Sequence, residues 1–202
     1  MKTLIFGTTN EAKVLQIQGA LRPIGVVVSS LPESARSIKV VEDGETVQEN
    51  ARKKATAYSE VLGEPVLSMD NALFFDGLDS EEQPGIHVRR IGGPNERPSD
   101  DELLAYYSKL VARLGGKVSG RWEFALCYAR PDGTCEERTI ISPRIFVSTP
   151  STKVVPGYPL ESIQIEPISG KYISEMSQGE QDKFWQQAIG AELSGFVQSI
   201  QS

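Results

Sequence analysis

The chain has 202 residues, 39% of them hydrophobic and 24% charged, with a formal net charge of -6. That length supports one sizeable α/β core and is short for two independent domains, so a single domain over residues 1–202 is expected. The acidic balance and the lack of any lysine or arginine run argue against a general nucleic-acid binder. No stretch of about 18 apolar residues and no leader pattern points to a membrane or to export, so a soluble, cytoplasmic protein is the expectation.

The first apolar run, in TLIFGTTNEAKVLQIQGAL, suits a buried strand that hands over directly to a helix. Asn10 is a good N-cap, Glu11 suits the positive end of the helix dipole, and Val14, Ile17 and Leu21 recur at helical spacing. Two readings stand here. One is a plain capped helix; the other is a phosphate cradle of helix N-terminal amides with Thr8, Asn10 and Lys13. The spacing is not that of a P-loop.

A strand follows over 25–30. Glu42-Asp43-Gly44-Glu45 then opens a helix expected over 46–62. Asn50 and Lys54 lie four apart and share one face, beside the apolar stripe of Val47, Ala51, Ala55 and Leu62. The alternative is a solvated face with an ordinary Glu49–Lys53 pair, and the acidic residues ahead of the helix have a simple dipole explanation.

Strand signals return over 65–69 and 73–75. Asp70 closes the first of these runs, either as a carboxylate fixed at the rim of the sheet or as half of an Asp70-Asn71 turn. Asp76 and Asp79 read as surface acids. Beyond a Gly/Pro-rich segment, EEQPGIHVRRIGGPNERPS, Ser99 with Asp101 and Glu102 starts a helix carrying Leu103, Leu104, Tyr107, Leu110 and Leu114. Next comes a hairpin about Pro131-Asp132-Gly133. It is flanked by Cys127 and Cys135, whose spacing suits neither zinc nor redox chemistry and reads as reduced structural thiols.

The final helix opens on the capping box Ser177-x-x-Glu180 and runs toward Ile200. On it Trp185 either packs with Phe184, Ala188, Leu193 and Phe196 or stacks on a base. His87 is the sole histidine, which excludes a multi-histidine metal centre. Any metal would be a hard ion on carboxylates, which fits magnesium and phosphate chemistry. The sum is a mixed α/β or α+β domain with a large sheet.

Taken together, Thr8-Thr9-Asn10-x-x-Lys13, the acidic residue ahead of Asn50-Ala51 and Lys54, the apolar strand reaching Asp70, PGIHVRRIGG, Gly157-Tyr158 and the last helix resemble the inosine triphosphate pyrophosphatase family. The resemblance runs through nearly the whole chain in order. It implies an elongated α/β fold with a long mixed sheet flanked by helices, two lobes around a central cleft, a homodimer, and Mg²⁺-dependent hydrolysis of non-canonical purine nucleoside triphosphates such as ITP, XTP or dITP to the monophosphate and pyrophosphate. It implies that Thr8, Thr9, Asn10 and Lys13 grip the phosphates and that Lys54 neutralises triphosphate charge. Glu42, with Asp43 as the close alternative, and Asp70 would hold metal, and Asp70 would also orient or deprotonate the attacking water. Asn71, Gly157, Tyr158, Gln186 and Gln187 would meet the substrate or its base.

Three departures from the family pattern stand out. Ala-Asp-Asp-Ser-Gly-Leu becomes Ser68-Met69-Asp70-Asn71-Ala72-Leu73, Gly-Tyr-Asp-Pro becomes Gly157-Tyr158-Pro159-Leu160, and the Ser-His-Arg that reads the purine falls on Trp185-Gln186-Gln187. Glutamine can donate and accept but brings no charge. Lys183 or Arg89 could supply what is missing. Altered base choice follows, with a catalytically weakened nucleotide-binding protein as the alternative and a non-catalytic interaction protein as a third reading. Retention of Lys13, Lys54 and Asp70 favours the enzyme, because core packing does not require charged residues.

Overall fold

A computed structural model describes residues 3–91, 93 and 98–200. Among them the order is β1 (Thr3–Phe6), α1 (Glu11–Leu21), β2 (Val27–Ser29), α2 (Glu33–Arg36), α3 (Val47–Leu62), β3 (Val66–Phe75), α4 (Asp100–Arg113), β4 (Lys117–Ala129), β5 (Cys135–Val147), β6 (Gln164–Ile165), α5 (Gln178–Trp185) and α6 (Ala191–Ile200). The strands form one mixed sheet in the order β2-β1-β3-β4-β5-β6. β1 runs parallel to both β2 and β3, and β5 runs antiparallel to β6.

The predicted caps at Asn10 and Ser99 form, and Thr46, expected as the first residue of its helix, is instead its N-cap. Asn10 accepts from the Ala12 amide, Thr46 from the Glu49 amide, and Ser99 makes a full capping box with Glu102. At the last helix Glu180 accepts from the Ser177 amide at 2.7 Å. The hairpin turns at Gly133, whose φ of 85° is comfortable only for glycine. Part of the Gly/Pro-rich segment, residues 92 and 94–97, lies outside the described residues.

The structure corrects two local expectations. Residues 66–75 form one unbroken ten-residue strand, so Asp70 sits in mid-strand rather than at a strand end or in a turn. Sheet pairing overrides the turn preference of the Asp-Asn pair. Lys53 pairs with Asp43 at 2.5 Å instead of Glu49, whose Oε2 accepts the Glu45 amide at 2.7 Å. The loop 42–45 thus folds back on the helix that follows it.

The chain divides into two compact units. The first comprises the chain up to Asn71, Glu123–Ile141 and the chain from Asp182 onward. Within it, Leu31, Ala35, Tyr58 and Val66 pack with Ile5, Ile38, Val40 and Leu62. Trp185 meets Phe124 and Phe184 edge-on, which supports the packing reading for that tryptophan. The second unit comprises Ala72–Trp122 and Ser142–Gln181. There the apolar face of α4, with Leu103, Tyr107, Leu110 and Val111, buries against Leu73, Phe75, Phe146, Leu160 and Ile163. The Tyr107 hydroxyl escapes burial unpaired by donating to the Val88 carbonyl at 2.9 Å.

Candidate functional site

The first unit contains a topological switch point. From β1 the chain goes to β2 on one side, then by way of α3 to β3 on the other, which leaves a crevice beyond the carboxyl end of β1. β1 stops at Phe6, level with Leu67, while β3 continues. Asp70 therefore lies past the end of its neighbour, at a rim created by β1 rather than by its own strand.

Gly7 fixes the exit from β1. Its amide donates to the Leu67 carbonyl at 2.7 Å and its carbonyl accepts from the Ser68 hydroxyl at 3.2 Å. A Cβ there would meet Ser68 Oγ at 2.2 Å. The turn that follows is thereby held beside the stretch of β3 that leads to Asp70. In that turn Thr8 Oγ1 accepts the Asn10 amide and Asn10 Oδ1 accepts the Ala12 amide, so both side chains build the N-terminus of α1. Thr9 is exposed, and Lys13 is half-buried on the first helical turn. The capped-helix reading holds, and the same construction puts the N-terminus of α1 directly after the end of β1, with Lys13 in its first turn.

α3 supplies the second half. Its outer face is tied down by Arg52, which makes a two-pronged contact with Glu137 at 2.7 and 2.8 Å, and by Gln48 donating to Thr139. Asn50 and Lys54 share the buried face, at 3% and 8% exposure. This removes the solvated-face reading for Lys54. Its Nζ donates to Asp70 Oδ1 at 2.7 Å and lies 3.4 Å from Glu42 Oε2. Asp70 is itself only 8% exposed. Of the two acids left open ahead of α3, Glu42 reaches this cluster, while Asp43 is exposed and engaged by Lys53.

Two carboxylates converging on one ammonium are a donor set that also suits Mg²⁺, which takes one or two carboxylates and completes its shell with water and phosphate. No group of three or more histidine, cysteine or acidic side chains that could hold a metal occurs among the described residues. Glu42 and Asp70 are oxygen donors of the kind and number that a hard, partly hydrated ion takes.

The remaining candidates are more scattered. Alternation along β3 puts Met69 and Asn71 on the face opposite Asp70. Met69 is 1% exposed, and Asn71 Oδ1 is buried without a hydrogen-bond partner among the described residues. Gln186 Nε2 donates to the Gly19 carbonyl of α1 at 3.3 Å within a π-helical turn, Gln186–Gly190, and Gln187 is exposed. Lys183 and His87 are exposed.

In the second unit, Arg89 donates to the Gly157 carbonyl and to Asp100, and Asp100 accepts the Gly157 amide at 2.7 Å. Arg89 is thus a clamp on the Gly157-Tyr158 turn. Tyr158 is half-buried, and burial, with Glu161 nearby, pushes its phenol above the ordinary range. The sequence reading missed the role of Asp100, which reads as an ordinary first-turn acid of α4, and the role of Ser68, whose hydroxyl has no sequence signature.

The model of the Ham1 family matches residues 4–186. The chain belongs to the Ham1 family. A protein from Exiguobacterium sp. named dITP/XTP pyrophosphatase is 35% identical over 132 residues, 64% of this chain and 64% of that protein. The chain likewise covers 63% of a relative of the same name from Desulforamulus reducens, at 34% identity over 134 residues and 64% of this chain. In both cases it spans just under two thirds of the relative. Another protein so named, from Halalkalibacterium halodurans, is 29% identical over 191 residues, 91% of this chain and 92% of its own. Among solved structures, a HAM1 protein from Coxiella burnetii superposes with a TM-score of 0.74 at 18% identity, over 98% of this chain and 100% of that one. The mixed α/β fold is therefore the Ham1 fold.

Within this Ham1 family member, the departures from the family pattern sort by location. The lost first aspartate, at Met69, falls in the core on the far face of β3, so the Asp70 face keeps its charges. Gln186 is used in packing against α1. Among the described residues, no helix is long and apolar enough to cross a membrane.

Proposed function

We propose that the chain hydrolyses a non-canonical purine nucleoside triphosphate of the ITP, XTP or dITP class to the nucleoside monophosphate and pyrophosphate. The observation that carries this is the buried Lys54 ammonium at 2.7 Å from Asp70 and 3.4 Å from Glu42, beside the crevice at the end of β1. The relatives named dITP/XTP pyrophosphatase support the choice of purine.

In this reading the turn from Thr8 to Lys13 grips the phosphate tail through the positive end of the α1 dipole, which Thr8 and Asn10 build, the Thr9 hydroxyl and the Lys13 charge. Lys54 exchanges a carboxylate for phosphate oxygen and offsets negative charge as the leaving group departs. Asp70 orients water against the α-phosphorus and takes its proton. The water oxygen bonds to phosphorus, the bond to the bridging oxygen breaks, and pyrophosphate leaves with the bridging electrons. Glu42 and Asp70 would hold Mg²⁺, which when bound supplies further charge neutralisation over the phosphates.

Asn71, Gln186 and Gln187 are the residues of the first unit proposed to meet the substrate or its base. With no cation at 186 or 187, discrimination rests on neutral hydrogen-bonding groups. Retention of Lys54 and Asp70 in a buried pair supports turnover over bare nucleotide binding. A single functional domain, a homodimer and a cytoplasmic setting belong to the same proposal, and light scattering in solution tests the dimer. The activity itself is tested by pyrophosphate release from dITP, XTP and ITP with and without Mg²⁺. Asp70→Asn is expected to lower turnover sharply while the circular dichroism spectrum stays unchanged. Equal turnover by that variant would remove Asp70 from the mechanism.

A further inference from the structure

The loop that carries Glu42 has no regular structure of its own, yet it is held to α3 at three successive positions. Lys53 takes the Asp43 carboxylate, Asn50 Oδ1 accepts the Gly44 amide at 2.9 Å, and Glu49 Oε2 accepts the Glu45 amide at 2.7 Å. Only the Asn50 contact is buried; the other two are exposed and exchange readily with water. Asn50 is also one helical turn from Lys54 on the same face. The fit at Gly44 is tight: a Cβ there would meet Asn50 Oδ1 at 2.8 Å and Glu49 Cβ at 2.8 Å. A glycine amide is thus pressed onto an amide oxygen, two residues after Glu42.

We infer that Asn50 is a positioning residue for cation binding: through the Gly44 amide it sets where the Glu42 carboxylate stands relative to Asp70, and so fixes the spacing of the two-carboxylate site. It rests on the reading of Glu42 and Asp70 as metal ligands. The chemistry requires an acceptor at this point, because removing it leaves the buried Gly44 amide unpaired and frees the loop to drift toward solvent. A small octahedral ion with short oxygen distances does not tolerate that drift.

Binding of Mn²⁺ alone, followed by the electron paramagnetic resonance signal of the free ion, tests this without turnover. Glu42→Gln sets the loss expected when the ligand itself is removed. Asn50→Ala should weaken Mn²⁺ by about 10-fold or more, in the range of about 10–100-fold found for groups that orient metal ligands. Asn50→Asp keeps an acceptor oxygen and should bind at least as well as the parent. The Glu42→Gln/Asn50→Ala double variant should bind no more weakly than Glu42→Gln, because Asn50 acts through Glu42.

Gly44→Ala should reproduce the loss with α3 left intact, which keeps the test open if Asn50→Ala folds poorly. If Glu42→Gln binds Mn²⁺ like the parent, the metal assignment itself fails. If Glu42→Gln weakens binding but Asn50→Ala and Gly44→Ala do not, or if Asn50→Ala adds its full loss on top of Glu42→Gln, the positioning role is overturned.

Discussion

Replacing Lys54 by methionine keeps an unbranched side chain one atom shorter and removes its charge, which isolates what the Lys54–Asp70 pair does for the fold. The side chains of the pair are 10% and 12% exposed and meet at 2.7 Å, so neither charge is solvated well enough to stand alone. Breaking such a pair from one side costs about 3–5 kcal/mol, because the remaining carboxylate stays buried. Glu42 adds little, since its side chain is 41% exposed and hydrates when the lysine leaves. In a chain of 202 residues each kcal/mol moves the melting temperature by roughly 2–4 °C, so Lys54→Met should melt roughly 6–20 °C lower. Scanning calorimetry at neutral pH and low salt reads this directly. The Lys54→Met/Asp70→Asn double variant should recover most of the loss, because it removes the stranded charge as well. A Lys54→Met protein within about 1 kcal/mol of the parent would mean that the pair behaves as a solvated surface bridge, and the burial argument would be wrong.

Two other substitutions probe the units separately. Burial lifts the Glu161 carboxyl to about 7, with Arg144 and Lys153 opposing the shift, against an ordinary value of about 4.3. Between those values the folded chain holds a proton that the unfolded chain has released, so stability is greatest below the window and falls as pH rises through it, by on the order of 3 kcal/mol. Urea unfolding at pH 5 and pH 8 should show that loss in the parent and not in Glu161→Gln; equal pH dependence in both would refute the assignment. Gly7→Ala drives a Cβ into Ser68 Oγ at 2.2 Å and toward Tyr58 and Val66 at 2.9 Å. It should cost about 1–3 kcal/mol by overpacking, with Ser68→Ala returning part of it, as chemical denaturation would measure.

The sequence made the ends of elements legible better than their middles. Asn10 and Ser99 cap the helices they were expected to cap, because capping depends on a few adjacent residues, and Thr46, expected as a first helical residue, is the N-cap one position ahead of the helix. Asp70 was recognisable as a candidate, but not its setting. Local turn preference argued for a break where long-range pairing keeps β3 continuous, and the rim arises only because β1 is shorter. The choice between Glu42 and Asp43 was illegible for the same reason, since it depends on how the loop folds back onto α3. Lys54 carried the helical spacing of the site in the sequence, whereas its burial depends on a carboxylate sixteen residues away. β6, two residues long, and the π-helical turn at 186–190 are too short to leave any periodic signal.

The most direct test of the central claim is the identity of the products formed from dITP in the presence of Mg²⁺, resolved by phosphorus NMR. The account predicts one pyrophosphate for each dIMP, with Asp70→Asn nearly inactive. Release of orthophosphate with dIDP, or no cleavage of dITP, XTP or ITP at any Mg²⁺ concentration, would contradict it.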